Sequence, residues 1–169
     1  TALAAGAEAR PIQDFADLGG RRVVVTAGTT SERLLHTHAE RQRLAVTIVA
    51  ARDHGEAFQR LQAGEAEAFM MDDALLHGLR AGAQRPEDWR VVGRPMSTEV
   101  YACAMRRDDP GFKRIVDAGL ARLMQGGEAL RLYQRWFQKP IPPKGLNLAW
   151  PPSDELLALY KNPNDRPRD

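Results

Sequence analysis

The stretch Val23-Val24-Val25-Thr26-Ala27-Gly28-Thr29-Thr30-Ser31-Glu32 carries a β-branched run directly into a turn and a helix start. A short apolar run of this kind reads as a buried strand. Thr29 and Glu32 have the spacing of a capping box, which fixes where the helix begins. The first amides of a helix have no acceptor within it and lie at the positive end of its dipole. The Gly-Thr-Thr turn is therefore expected to offer free N–H groups to a carboxylate or phosphate. A plain helix cap that binds nothing has the same local sequence. The stretch is neither a Walker A loop, since it has no Gly-Lys-Ser/Thr, nor a GxGxxG turn, which argues against a nucleotide.

Outward from this stretch, residues 22–92 alternate short β-branched runs with amphipathic stretches, the pattern of βα units around a largely parallel sheet. Helices are expected over residues 32–44, 55–63 and 73–79, and strands over 45–49, 68–71 and 91–92. Two further candidate sites fall at predicted strand ends, where ligands of open α/β sheets gather. In Phe69-Met70-Met71-Asp72-Asp73, Asp72 is the candidate partner for a ligand ammonium group, and Asp73 is expected to cap the next helix. In Asp53-His54-Gly55, His54 is placed to donate to a ligand carboxylate. Capping acids and a loop histidine that bonds locally are the ordinary alternatives.

After Arg94-Pro95 the character changes. Residues 100–105 read as one apolar strand, Asp109-Pro110 caps a helix running to about 124, and Gly126-Gly127 breaks it. A helix over 128–137 carries Leu130, Tyr133, Trp136 and Phe137 on one face, and a last helix spans 154–160 before a polar end at 162–169. Thr1-Ala2-Leu3-Ala4-Ala5 reads as the last half of a strand with nothing before it, and the aromatic tail helices have no obvious partner sheet. Both features are those expected of a piece of a larger fold.

Composition narrows the chemistry. The chain has 24 basic and 22 acidic residues, a formal charge of +2, and no Lys/Arg stripe of the kind a phosphate backbone requires, so nucleic acid is not an expected partner. No apolar run approaches the roughly 18 residues of a membrane span, and the sequence is expected to be cytosolic or already processed. The single cysteine, Cys103, sits in the apolar run 100–105, where a buried, inert thiol is expected. His36 and His38 are two apart on a helix and do not face one another, and His77 has no matching ligand, so neither metal nor cofactor is implied. Ser31, His54 and Asp72 do not make a catalytic triad, because nothing around Ser31 resembles a nucleophile elbow.

Taken in order, Asp14-Phe15-Ala16-Asp17-Leu18-Gly19-Gly20, Thr26-Ala27-Gly28-Thr29-Thr30-Ser31-Glu32, Ala51-Arg52-Asp53-His54-Gly55, Met71-Asp72-Asp73-Ala74-Leu75-Leu76, Pro140-Ile141-Pro142-Pro143-Lys144 and Asn162-Pro163-Asn164-Asp165 resemble bacterial glutamate/aspartate periplasmic binding proteins of solute-binding protein family 3. The resemblance covers nearly the whole chain. It implies a periplasmic binding protein-like α/β fold in which two lobes close on an amino acid by hinge motion. Residues 1–97 would form the second ligand-binding lobe. Residues 98–169 would be the hinge return and the strand and helices that complete the first lobe.

On this resemblance Thr30 matches the position that holds the ligand α-carboxylate, Asp72 the acid that binds the α-ammonium, and His54 a histidine near the acidic side chain. Thr26, Gly28 and Thr29 shape the same turn and are implied as ligand-binding residues with these three. The implied partners are an acidic L-amino acid and the membrane subunits of an ABC importer, and the implied location is the periplasm. The family's N-terminal lobe, with the arginines that clamp the ligand, has no counterpart among these residues. Weak or no glutamate binding is therefore expected. The apolar faces beyond residue 100 would be exposed, disordered or covered by a second copy of the chain in a homo-oligomer. The competing readings are an enzyme of dehydratase type on the same scaffold and a sensory ligand-binding domain, since a fold alone does not fix function.

Overall fold

In the computed structural model, which describes residues 1–5, 11–99 and 101–166, the chain is organised as two units, Thr1–Ser97 and Thr98–Asp169. The first unit runs β1 (Ala2–Ala5), β2 (Arg22–Thr26), α1 (Thr30–Gln42), β3 (Thr47–Ala51), α2 (His54–Gln62), β4 (Ala68–Met70), α3 (Asp73–Gly82) and β5 (Trp89–Val92), with short 3-10 turns at Phe15–Leu18 and Pro86–Asp88. Its five strands lie in the order β3-β2-β4-β1-β5. β2 pairs parallel with both β3 and β4, whereas β1 runs antiparallel between β4 and β5.

The strands are apolar because both faces of the sheet are covered. Val23 and Val25 point to a layer with Leu35 of α1 and with Ile12, Phe15 and Leu18. Val24 points the other way, to Leu3, Phe69, Ala57 and Leu61 of α2, and Leu76 of α3. This alternation leaves all three valines fully buried. At the start of β2 the Arg22 guanidinium and backbone amide both bond the Glu67 carboxylate, at 2.6 and 2.7 Å, tying the entry of β2 to that of β4. The first helix starts two residues earlier than the sequence indicated and the strand after it two residues later. Thr29 holds the N-cap of α1, and β3 is set by its pairing of Thr47 with Arg22.

The second unit is helical: α4 (Pro110–Gln125), α5 (Glu128–Phe137) and α6 (Asp154–Lys161). Asp109 caps α4 through the Phe112 amide and Ser153 caps α6 through the Leu156 amide. Tyr133, Phe137 and Trp150 pack their rings together and leave Tyr133 buried. The strand expected at 100–105 is not formed. Val100 lies outside the described residues, and 101–105 make no ladder, with Tyr101 96% exposed. Cys103 is likewise exposed, not buried. An apolar run becomes a strand only where neighbouring backbone can pair with it, and among the described residues of this unit the one bridge joins Ile141 and Leu146. The polar end expected at 162–169 is described only as far as residue 166. No helix among the described residues is long and apolar enough to cross a membrane.

Candidate functional site

Three strands deliver three helix N-termini to one edge of the sheet. β2 leads into α1, β3 into α2, and β4 into α3, and the three strands are parallel neighbours, so their C-terminal ends lie side by side. The pairings Thr26 with Ala51 and Val24 with Phe69 fix the register. Thr30, the first residue of α1, His54, the first of α2, and Asp72, the N-cap of α3, thus gather at the same edge, and all three are exposed. The converging helix dipoles make this edge favourable for an anion, while Asp72 adds a negative charge beside it.

The turn itself is more internally bonded than its sequence suggested. Gly28 has φ +74°, a conformation costly for other residues, and its N–H donates to the Glu32 carboxylate at 2.7 Å. The Thr29 hydroxyl donates to the Thr26 carbonyl at 2.7 Å and accepts the Glu32 amide at 3.3 Å. The Gly28 amide and Thr29 hydroxyl are therefore not free, a correction to the expectation of an open turn. Among the described residues, the Thr29, Thr30 and Ser31 amides of this turn have no acceptor. Thr26 is buried, and its hydroxyl meets Nδ1 of His54 at 2.6 Å.

The start of α2 repeats the lock at the start of α1. Asp53 caps the helix by accepting the Glu56 amide at 2.8 Å, and the Glu56 carboxylate accepts the Arg52 amide at 3.1 Å, as Glu32 does with Gly28. Neither Glu32 nor Asp53 stood out as a site residue, although Thr29-x-x-Glu32 and Asp53-x-x-Glu56 share one spacing that marks both helix starts. At α3 the bonding follows the expected division between the two acids, but the N-cap position falls on Asp72 and not on Asp73. Asp72 occupies the N-cap but makes no capping hydrogen bond, whereas the Asp73 carboxylate accepts the Ala74 amide at 2.8 Å.

Side-chain bonding from Arg52 holds the Glu56 carboxyl down to about 2, with the Arg52 amide and the Arg60 guanidinium adding to it. A depressed carboxylate stabilises the fold above its unfolded value, about 4.3, and that contribution fades as the pH falls through the folded value. The Glu56 carboxyl carbon is thus expected to titrate near 2 by NMR. In Arg52→Gln its midpoint should rise.

An open cleft of about 340 Å³ lies elsewhere in this unit, among Phe15, His38, Gln42 and Arg94. It includes none of Thr30, His54 and Asp72.

The α/β architecture of this chain is that of periplasmic binding proteins. An ancestral arginine-binding protein bound to arginine matches 80% of this chain and 58% of its own with a TM-score of 0.65 at 24% identity. The P235GK mutant of the T. maritima arginine-binding protein matches 80% and 56% with a TM-score of 0.63 at 22% identity. These likenesses establish the fold. The class is therefore periplasmic binding protein-like.

No family model matches the sequence. A glutamate/aspartate import solute-binding protein of Salmonella typhimurium is 51% identical over 155 residues, covering 92% of this chain and 51% of the relative. The L-glutamate/L-aspartate-binding protein of Pseudomonas aeruginosa is 50% identical over the same shares. By sequence the chain belongs with the glutamate/aspartate-binding proteins of solute-binding protein family 3. It spans about half the length of the curated relatives it matches.

Proposed function

We propose that residues 1–97 are one lobe of an acidic-amino-acid receptor that delivers glutamate or aspartate to the membrane subunits of an ABC importer in the periplasm. Residues 98–169 belong to the return toward the other lobe. The observation that supports this best is at the sheet edge: a helix start with open Thr30 and Ser31 amides and an Asp72 carboxylate free of any capping bond stand together. One suits a ligand α-carboxylate and the other its α-ammonium. Thr26, Gly28 and Thr29 act by shaping the turn, and His54 faces the ligand side chain. The relatives are named as binding proteins, which favours a receptor over the enzyme reading.

A single lobe supplies only half of a clamp. These 169 residues are therefore expected to bind L-glutamate with a dissociation constant of about 1 mM or weaker, roughly −4 kcal/mol. Amide chemical shifts measured while glutamate is added should move at Thr30, Ser31, His54 and Asp72. Glutarate, which lacks the ammonium, should move them less, and the glutamate should be recovered unchanged. Shifts confined to other residues, or none at tens of millimolar, would count against the reading. Micromolar affinity by calorimetry would contradict the half-site part of it.

The second unit fits the same proposal. Phe112, Ile115, Leu120 and Leu123 are exposed along one stripe of α4, and Leu132 and Trp136 are exposed on α5. We read this apolar surface as the side that the remainder of a two-lobed protein covers. An apolar fluorescent dye is expected to bind it, and Ile115→Lys should lower the signal without altering the stability of the first unit.

A further inference from the structure

We propose that Thr26 is a positioning residue that fixes the tautomer of His54, so that this histidine meets the ligand as a hydrogen-bond donor. Thr26 is 8% exposed, and its carbonyl is already engaged by the Thr29 hydroxyl. Its own hydroxyl has one described partner, Nδ1 of His54, at 2.6 Å, near the short end of the normal range. A hydroxyl has one hydrogen to give. If Nδ1 carried the imidazole hydrogen and donated, the Thr26 hydrogen would be left buried without an acceptor, which native structures avoid. The satisfied arrangement has Thr26 donating to Nδ1 and the imidazole hydrogen on Nε2. His54 is exposed, so with Nδ1 turned inward to Thr26, Nε2 is turned away from it.

An Nε2–H presented to a ligand favours an acceptor there. A carboxylate side chain is matched, whereas an ammonium or guanidinium would bring donor against donor. Thr26 thereby contributes to the choice of an acidic side chain from 28 residues upstream of His54, without touching the ligand. This role in selectivity rests on the acidic-ligand reading above, but the tautomer itself does not.

The test is nitrogen-15 NMR of the histidine-labelled chain at least two pH units above the ordinary histidine value of about 6.5, where imidazoles are neutral. His54 is expected in a single tautomer with hydrogen on Nε2, while exposed His36 serves as the unconstrained reference. Thr26→Val keeps the branched shape and removes the hydroxyl. It should lower the His54 tautomer ratio about fivefold, the equivalent of one ordinary hydrogen bond. Thr26→Ser should restore the ratio, a rescue that a purely packing role would not produce. Glutamate-induced shifts at His54 should weaken in Thr26→Val while those at Thr30 and Asp72 persist. Hydrogen on Nδ1 in the parent chain, or an unchanged ratio in Thr26→Val, overturns the proposal. A responsive tautomer in a chain that shows no glutamate shifts upholds the Thr26 role and overturns the acidic-ligand reading instead.

Discussion

Phe69→Ala is expected to destabilise the first unit by about 3–5 kcal/mol, the cost of removing a buried aromatic ring and leaving a cavity. Phe69 is fully buried on β4, paired on one side with Leu3 of β1 and on the other with Val24 of β2. Its ring lies in the layer with Ala57 and Leu61 of α2 and Leu76 of α3, so no single neighbour can move in to fill the space. Domains of this kind hold together by about 5–15 kcal/mol, and the loss is a large share of that. Trp89, partly buried against this same layer with its ring edge-on to Phe58, can report the loss by fluorescence during denaturant unfolding. Amide exchange at Ala68–Met70 should accelerate in parallel. Ile115→Ala, at a site 69% exposed on α4, should change stability by less than about 0.5 kcal/mol. Equal effects of the two substitutions would mean that the described sheet is not the core of the first unit.

The contrast between these positions also separates what the sequence reveals from what it hides. Three consecutive valines have a plain reading because burial on both faces demands apolar side chains at every position, and the strand formed where expected. The gathering of Thr30, His54 and Asp72 at one edge was legible for a related reason: each follows a strand directly, and parallel strands place all such junctions on one side. β1 was not legible in direction, because small apolar residues such as Ala2, Ala4 and Ala5 suit a parallel or an antiparallel neighbour equally. Its place between β4 and β5 depends on contacts some 65 and 85 residues away. Residues 101–105 have the composition of a strand without the neighbour that would make them one. The bonds that close the Gly28 turn were hidden too. Capping-box spacing identifies Glu32 but does not say that its carboxylate takes the Gly28 amide, and nothing in the local sequence joins Thr26 to His54.

Asp72→Asn is expected to abolish the glutamate response of Thr30 and His54 while leaving stability within about 0.5 kcal/mol. Loss of one member of a charge pair at a binding site typically costs about 2–5 kcal/mol, or roughly 30-fold and upward in affinity. From a millimolar start the response should fall below detection. Stability should hardly move, because the Asp72 side chain makes no capping bond to α3 and is exposed. Asp73→Asn provides the opposite case. The Asp73 carboxylate accepts the Ala74 amide in the first turn of α3, where a negative charge favours the helix by up to about 1 kcal/mol. That substitution should lower stability measurably and leave the glutamate response nearly intact. Adjacent carboxylates at a strand end are alike in sequence, and the two substitutions ask which one is free to meet an ammonium. A response that survives Asp72→Asn but vanishes in Asp73→Asn would move the cation grip one residue on, and would mean that α3 gives up its Ala74 bond when ligand arrives.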